Sequence, residues 1–167
     1  MDVLVVRHAI AMERAEAEAA GVSDSDRPLT AEGRSRMKRV ARALAWRVPE
    51  LGALFSSPWL RARDTAELLR ERYRGLDCIE SEALLPAAEP QALAHVLSER
   101  AHHGPVAVVG HEPHLSAWVG WCLTGECRSL LALRKGGACL LHFDGAVAAG
   151  GALLQWLLTP ALARRLG

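Results

Sequence analysis

Short apolar runs alternate along the chain with longer stretches in which apolar and polar positions are mixed. Uninterrupted apolar runs of four or five residues are typical of strands that are buried on both faces of a sheet. A weaker run and a pair of runs joined by a Gly/Ala/Asp turn predict three further strands. The predicted strands are residues 3–6, 53–57, 106–110, 138–143 and 152–158, together with a weak strand within residues 77–86.

The stretches between these strands carry the spacing and the end signals of helices. Thr30 is a predicted N-cap, and the helix that runs from it towards Pro49 places Met37, Val40 and Leu44 on one face. Helix-breaking prolines and glycines bound three more predicted helices, over residues 58–73, 90–101 and 111–123. Alternating strands and helices of these lengths predict an α/β fold, a three-layer sandwich whose mostly parallel central sheet is flanked by helices.

Composition limits the classes of function. The chain has 167 residues, 50% of them hydrophobic and 23% charged, so we expect one domain over residues 1–167 with a sizeable core. A net charge of +1 supports neither nucleic acid nor an anionic membrane as a partner. The start "MDVLVV" lacks a signal peptide and no apolar run is long enough to span a membrane, so we expect a cytoplasmic protein. The four cysteines lack CxxC spacing and are interpreted as reduced thiols.

Three predicted strands lead directly into polar residues that an apolar core does not favour. The first ends in Arg7 and His8, the second leads through "SSPWL" to Arg61, and the fourth ends before His111. In open α/β sheets the ligand crevice lies beyond the carboxyl ends of the strands. If the three strands are parallel neighbours, the two arginines and two histidines converge on one rim.

Such a rim suits an anion with several oxygens. A guanidinium fork matches the geometry of phosphate or carboxylate, and an imidazole adds a nucleophile or acid that works near neutral pH. Each residue alone has an ordinary structural explanation, as a solvated strand end or a hydrogen-bonded core histidine. The agreement of three strand ends favours a phosphate site.

Four motifs in order resemble those of the histidine phosphatase superfamily. They are "VVRHA", with Ala9 in the place of the family's glycine, then "DRPLTAEGRSR", "SSPWLRARDTAELL" and "VVGHEPHLS". The short length, the RHA variant and "RPLT" are most similar to the SixA-type phosphohistidine phosphatases. The resemblance implies a phosphoglycerate-mutase-like fold and a phosphatase that acts on phosphohistidine in a phosphorylated protein.

The resemblance also implies the roles of individual residues. His8 is expected to be the nucleophile, with its second ring nitrogen donating to a backbone carbonyl of the following turn. Arg7, Arg61 (rather than Arg63) and His111 are expected to hold the phosphoryl oxygens, with His111 as a cation. Because these cations carry the charge stabilisation, no metal and no cofactor are expected.

The proton donor and the substrate stay open at this stage. Glu82 and Glu89 lie where many family members carry an acid, and Glu82 is the candidate acid, although a solvated loop carboxylate is the favoured explanation of each. Short connections predict a pocket without a lid, although residues 10–27 are long enough to fold over it. The alternatives to a protein phosphohistidine phosphatase are a small-molecule phosphomonoesterase, acting on a sugar phosphate or nucleotide, and a phosphate-dependent binding module without turnover. The oligomeric state is not predicted.

Overall fold

A computed structural model describes residues 1–99 and 103–166. All six predicted strands form, and they lie in one sheet. Their bounds are Asp2–Arg7 (β1), Ala53–Ser56 (β2), Cys78–Glu80 (β3), Val106–Gly110 (β4), Ala138–Phe143 (β5) and Ala152–Leu158 (β6).

Helices connect most of these strands. Their bounds are Arg14–Ala19 (α1), Ala31–Arg47 (α2), Leu60–Arg70 (α3), Pro90–Ser98 (α4), His114–Thr124 (α5) and Pro160–Leu166 (α6). The Thr30 side chain caps α2 as predicted, since its Oγ1 accepts a hydrogen bond from Gly33 N at 2.9 Å. Helix α4 is shorter than the predicted 90–101, of which residues 100 and 101 lie outside the described residues. The sequence did not predict α6.

The sheet is mostly parallel, as predicted. Its strand order is β3-β2-β4-β1-β5-β6, in which the first four strands run parallel and β5 and β6 return antiparallel. Arg7 pairs with Gly110 across β1 and β4, and Ser56 pairs with Val109 across β2 and β4. The carboxyl ends of β1, β2 and β4 therefore meet at one edge, which confirms the condition for the predicted site.

Helices cover both faces of the sheet and complete a three-layer sandwich. On one face Val3 and Val5 of β1 belong to a buried cluster with Trp118 of α5. On the other face Leu4 and Val6 belong to a second cluster with residues of α2, α3 and α6. Successive residues of β1 thus point to opposite cores, which explains why an uninterrupted apolar run marks this strand. Within the described residues, no helix combines the length and apolar character needed to cross a membrane.

Candidate active site

The carboxyl edge of the sheet brings the predicted site residues together. The ring centroids of His8 and His111 lie 5.1 Å apart, and Arg61 Nε lies 3.3 Å from His8 Nε2. Arg7 precedes His8 at the end of the same strand. Three of these side chains are almost fully buried, with exposed fractions of 6% for His8, 3% for Arg61 and 1% for His111.

Hydrogen bonds fix the tautomer of His8. Its Nδ1 donates to the carbonyl of Ala9 at 2.8 Å, which confirms the predicted bond to the turn. Because a carbonyl only accepts, Nδ1 carries the proton and Nε2 keeps its lone pair. That lone pair accepts the hydrogen bond from Arg61 Nε at 3.3 Å. The ring therefore presents an unprotonated nitrogen to the arginine that is expected to hold phosphate.

The surroundings of His8 keep the whole ring neutral. The pKa of His8 is lowered to about 3, mainly by burial and also by the nearby charges of Arg61, Arg7 and Lys135, whereas the hydrogen bond to Ala9 raises it. At neutral pH the imidazole is thus unprotonated at Nε2, which is the form that a nucleophile needs.

The guanidinium of Arg61 is held from several sides at the start of α3. One nitrogen donates to the main-chain carbonyl of Asp24, another lies 3.5 Å from its carboxylate, and Cζ lies 4.5 Å from the ring centre of Trp59. Burial and the charge of Arg27 lower the pKa of Arg61 to about 10, so it stays charged at neutral pH. Arg63, by contrast, is exposed and lies 3.5 Å from Glu80. The structure thus places Arg61, and not Arg63, beside His8.

Thr65 ties the Arg61 helix to the His8 turn. Its hydroxyl donates to the carbonyl of Arg61 at 2.7 Å and accepts from the amide of Ala9 at 3.0 Å. Because the side chain itself is fully buried, these two bonds fix how the start of α3 sits against the end of β1. The distance between the nucleophile candidate and its arginine is therefore set by the fold.

Arg7 is half-buried and has its own acidic neighbour. One of its terminal nitrogens donates to the carbonyl of Leu133 at 2.7 Å. Burial lowers its pKa, while the carboxylate of Glu112 opposes that shift. Glu112 accepts a hydrogen bond from Ser116 Oγ at 2.7 Å, and burial raises the pKa of this carboxyl. Each site arginine therefore has a carboxylate nearby, Asp24 for Arg61 and Glu112 for Arg7.

His111 does not have the charge that the sequence led us to expect. Its Nε2 is 2.8 Å from Ser57 Oγ, and its ring packs at 5.0 Å against Trp59 in an edge-on arrangement. Burial, followed by the neighbouring His8 ring and the charge of Arg61, lowers the pKa of His111 to about 2. The protein groups alone therefore favour a neutral imidazole at His111, whereas the cation expected from the sequence is one that holds a bound phosphoryl group.

Among the described residues, neither candidate acid makes a side-chain contact with this cluster. Glu82 begins a short 3-10 helix, Glu82–Leu84, and its side chain is exposed. Across the described ranges 1–99 and 103–166, its carboxylate makes no hydrogen bond or ion pair. Glu89 occupies the N-cap position of α4, but its side chain makes no capping hydrogen bond and is also exposed. The contacts therefore give neither carboxylate a partner in the site.

The segment over residues 10–27 contributes to the site, and its role was not predicted. Asp24 contacts Arg61 and also accepts a hydrogen bond from Arg27 Nε at 2.8 Å. Arg27 is buried. Residues 10–27 therefore reach the site at least through the contact of Asp24 with Arg61, which is the alternative to an uncovered pocket that the sequence left open. The useful signal in the sequence was an aspartate close before "DRP", in a stretch that otherwise resembles a polar surface loop.

The site is richer in positively charged side chains than in side chains that could bind a metal ion. In the part of the chain that the structure describes, no three His, Cys, Asp or Glu side chains are grouped so that they could hold a metal ion. Two guanidinium groups, two imidazoles and the Ser57 hydroxyl are instead the groups that a ligand would meet. That set can bind a tetrahedral oxyanion and place a neutral imidazole nitrogen against its central atom.

Comparisons with known proteins agree with this geometry. Residues 3–85 match the family model "Histidine phosphatase superfamily (branch 1)". A protein of Picosynechococcus sp. is 34% identical over 139 residues, which is 82% of each chain. A solved structure of the protein histidine phosphatase SixA complexed with tungstate has a TM-score of 0.77, with 23% identity, and covers 96% of this chain and 98% of its own. Phosphoserine phosphatase of Entamoeba histolytica has a TM-score of 0.67, with 14% identity, and the coverage is 95% and 96%.

Proposed function

The chain belongs to the histidine phosphatase superfamily, and from that premise we propose that it hydrolyses phosphohistidine on a protein through a phosphohistidine intermediate on His8. The observation that carries this proposal is the state of the His8 ring. Its Nδ1 is tied to Ala9, its Nε2 is unprotonated, and a charged guanidinium lies 3.3 Å away. A nitrogen lone pair held beside a fixed cation is the arrangement that attack on a phosphoryl group requires.

The reaction proceeds in two displacements. In the first, His8 Nε2 attacks phosphorus in line, the new N–P bond forms, and the bond to the substrate's imidazole nitrogen breaks while that nitrogen takes its proton from solvent. In the second, water attacks phosphorus, loses a proton, and the N–P bond to His8 breaks to release inorganic phosphate. Two displacements replace one difficult step by two easier ones, which is the gain from covalent catalysis.

Charge stabilisation is assigned to the two arginines. Arg7 and Arg61 are held by Leu133 and Asp24, so they need little reorganisation when charge builds on the phosphoryl oxygens. Arg61 Nε would leave His8 Nε2 and turn to an oxygen, which frees the lone pair as the substrate arrives. We assign His111 and Ser57 to a third oxygen, and we propose that no metal is needed.

The choice of substrate follows from the leaving group. A departing alkoxide needs a proton donor, whereas an imidazole is a much better leaving group. Glu82 and Glu89, the two acids that the sequence offered, are exposed and make no contact with the cluster in the described ranges. A phosphoramidate suits such a site better than an alkyl phosphate. The substrate proposal therefore rests on chemistry, and no longer on an open pocket.

A panel of substrates tests this proposal. Phosphate release is measured from a phosphohistidine peptide, a phosphoserine peptide, an alkyl phosphate metabolite and an aryl phosphate, each with and without EDTA and each against His8→Ala. We expect kcat/KM to be highest for the phosphohistidine peptide, unchanged by EDTA and lost in His8→Ala. A higher kcat/KM for the alkyl phosphate would identify a small-molecule phosphomonoesterase. Activity that EDTA removes contradicts the mechanism, and binding without turnover contradicts the whole proposal.

A further inference from the structure

The exposed apolar side chains of this protein are concentrated at one end of the sheet. Seven large hydrophobic residues are exposed among those the structure describes, and five of them lie on β6 or on α6, the helix that follows it directly. On the strand these are Leu153, Leu154 and Leu157, with exposed fractions of 60%, 41% and 40%. Scattered surface leucines are ordinary, but three exposed leucines on one edge strand point to an interaction surface.

Strand β6 is also an unprotected sheet edge. It is the last strand in the order, so one side of its backbone has no neighbouring strand. Natural edge strands are commonly blunted by charged residues, by proline or by short length. The sequence of β6, "ALLQWLL", contains neither a charge nor a proline, and at seven residues it is the longest strand in the sheet. Its free backbone groups can therefore accept another extended strand.

An irregularity in β6 brings two of its leucines to the same face. The register against β5 shifts between Leu140 and Leu141, so that Leu154 pairs with Leu141 and Leu157 pairs with Cys139. Leu141 and Cys139 both point into the same buried cluster. In a regular strand, residues three positions apart would point to opposite faces. The shift thus builds a local patch of Leu154 and Leu157 on one face of the edge.

We propose that β6 pairs antiparallel with β6 of a second copy of this chain, which joins the two sheets into one. A two-fold axis between Gln155 and Trp156 sets Leu154 of each copy opposite Leu157 of the other, so the patch complements itself. Isologous pairing of this kind is the commonest way in which soluble proteins form dimers. Because the strand carries no charge, it complements an uncharged strand such as its own copy better than a charged peptide.

The proposed dimer leaves the site free. In the strand order, β5 and β1 separate β6 from β4, and the site residues follow β1, β2 and β4. The strand is about 24 Å long at the usual rise per residue.

The mass of the protein in solution tests the proposal. Sedimentation velocity and light scattering of the full chain should show a dimer in the micromolar range. The double variant Leu154→Lys/Leu157→Lys should be a monomer with wild-type circular dichroism and a kcat/KM within about twofold of wild type. Trp46→Lys, at a residue that is 74% exposed on α2, is the matched control and should stay dimeric. A monomeric wild type, or a double variant that stays dimeric, overturns the proposal.

Cross-linking gives a second readout that does not depend on how the lysine variants fold. Gln155→Cys lies beside the proposed two-fold axis, and Cys127→Ser first removes the exposed native cysteine. A short bis-maleimide should then link two copies of Gln155→Cys/Cys127→Ser at high yield. The same treatment of Cys127→Ser alone should give no linked pair. Equal yields in the two proteins contradict pairing along β6.

Discussion

Asp24 contacts the guanidinium of Arg61 with both its main-chain carbonyl and its carboxylate. The residue belongs to a short 3-10 helix, Asp24–Asp26, in the segment between β1 and α2. Arg27 holds the same carboxylate at 2.8 Å, so Asp24 is itself fixed. Through this chain of contacts, a surface segment positions the arginine that lies across His8 Nε2. We therefore regard Asp24 as a positioning residue for the reaction.

Replacing Asp24 tests this role. In Asp24→Ala the carboxylate is lost and Arg61 gains freedom, so we expect kcat to fall about tenfold, which corresponds to about 1.4 kcal/mol of activation free energy. KM should change little, since Arg61 keeps its charge. The matched control is Asp26→Ala, in the same short helix, where the carboxylate contacts only Ser23 within the described residues. Equal losses in the two variants would show that the segment matters only for folding.

The two arginines of α3 provide a second test. Arg61 is buried beside His8, whereas Arg63 is exposed beside Glu80. Arg61→Ala should reduce kcat/KM by the equivalent of about 2–4 kcal/mol, as the loss of one preorganised donor commonly does. Arg63→Ala should remain close to wild type. Steady-state kinetics with the phosphohistidine peptide measures both, and similar losses at the two positions would contradict the placement of the phosphate.

Three buried histidines make stability depend on pH. Burial is the main cause that lowers the pKa to about 3 for His8, about 2 for His111 and about 4 for His114. The folded protein keeps these rings neutral between pH 6.5 and 4, while the unfolded chain protonates them below 6.5. Each ring therefore lowers the free energy of unfolding by about 1.4 kcal/mol per pH unit as the pH falls through this window.

Urea unfolding at pH 7, 6 and 5 measures this dependence. The free energy of unfolding should decrease as the pH falls, more steeply from 6 to 5 than from 7 to 6. His114→Phe should reduce the contribution of the buried histidines to the slope by about one third, because one of the three rings that bind a proton only after unfolding is gone. A free energy of unfolding that is constant from pH 7 to 5 would show that the rings already bind protons in the folded state.

The sequence predicts the sheet and the convergence of Arg7, His8, Arg61 and His111 because these depend on strong local patterns. A buried parallel strand needs an uninterrupted apolar run, and its polar end is then conspicuous. The contacts of Asp24 are of another kind. They join residues 37 positions apart through a polar loop, and no hydrophobic period marks them.

The charge of His111 could not be predicted either, for a related reason. Its pKa depends on burial and on the distances to neighbouring charges, which only the packed structure provides. The exposure of Glu82 and Glu89, by contrast, agrees with the solvated loop carboxylates that the sequence favours. Motif spacing thus identifies the residues of the site, whereas packing determines their protonation and contacts.

Substitution by glutamine tests whether the exposed carboxylates of Glu82 and Glu89 take part in the reaction. Because neither side chain contacts the site in the described ranges, Glu82→Gln and Glu89→Gln should each keep kcat/KM for the phosphohistidine peptide within about twofold of wild type. The same variants should be compared on an alkyl phosphate, where a proton donor matters more. A large loss in Glu82→Gln alone would show that this carboxylate reaches the leaving group during turnover.

The central claim is that His8 Nε2 accepts the phosphoryl group. Rapid acid-free quenching of wild type during turnover of a ³²P-labelled substrate, followed by peptide mapping, locates the label. We predict acid-labile, base-stable phosphate on His8, and no label in His8→Ala, which should keep the wild-type circular dichroism. Phosphate on another residue, or turnover by His8→Ala at an appreciable rate, would contradict the account.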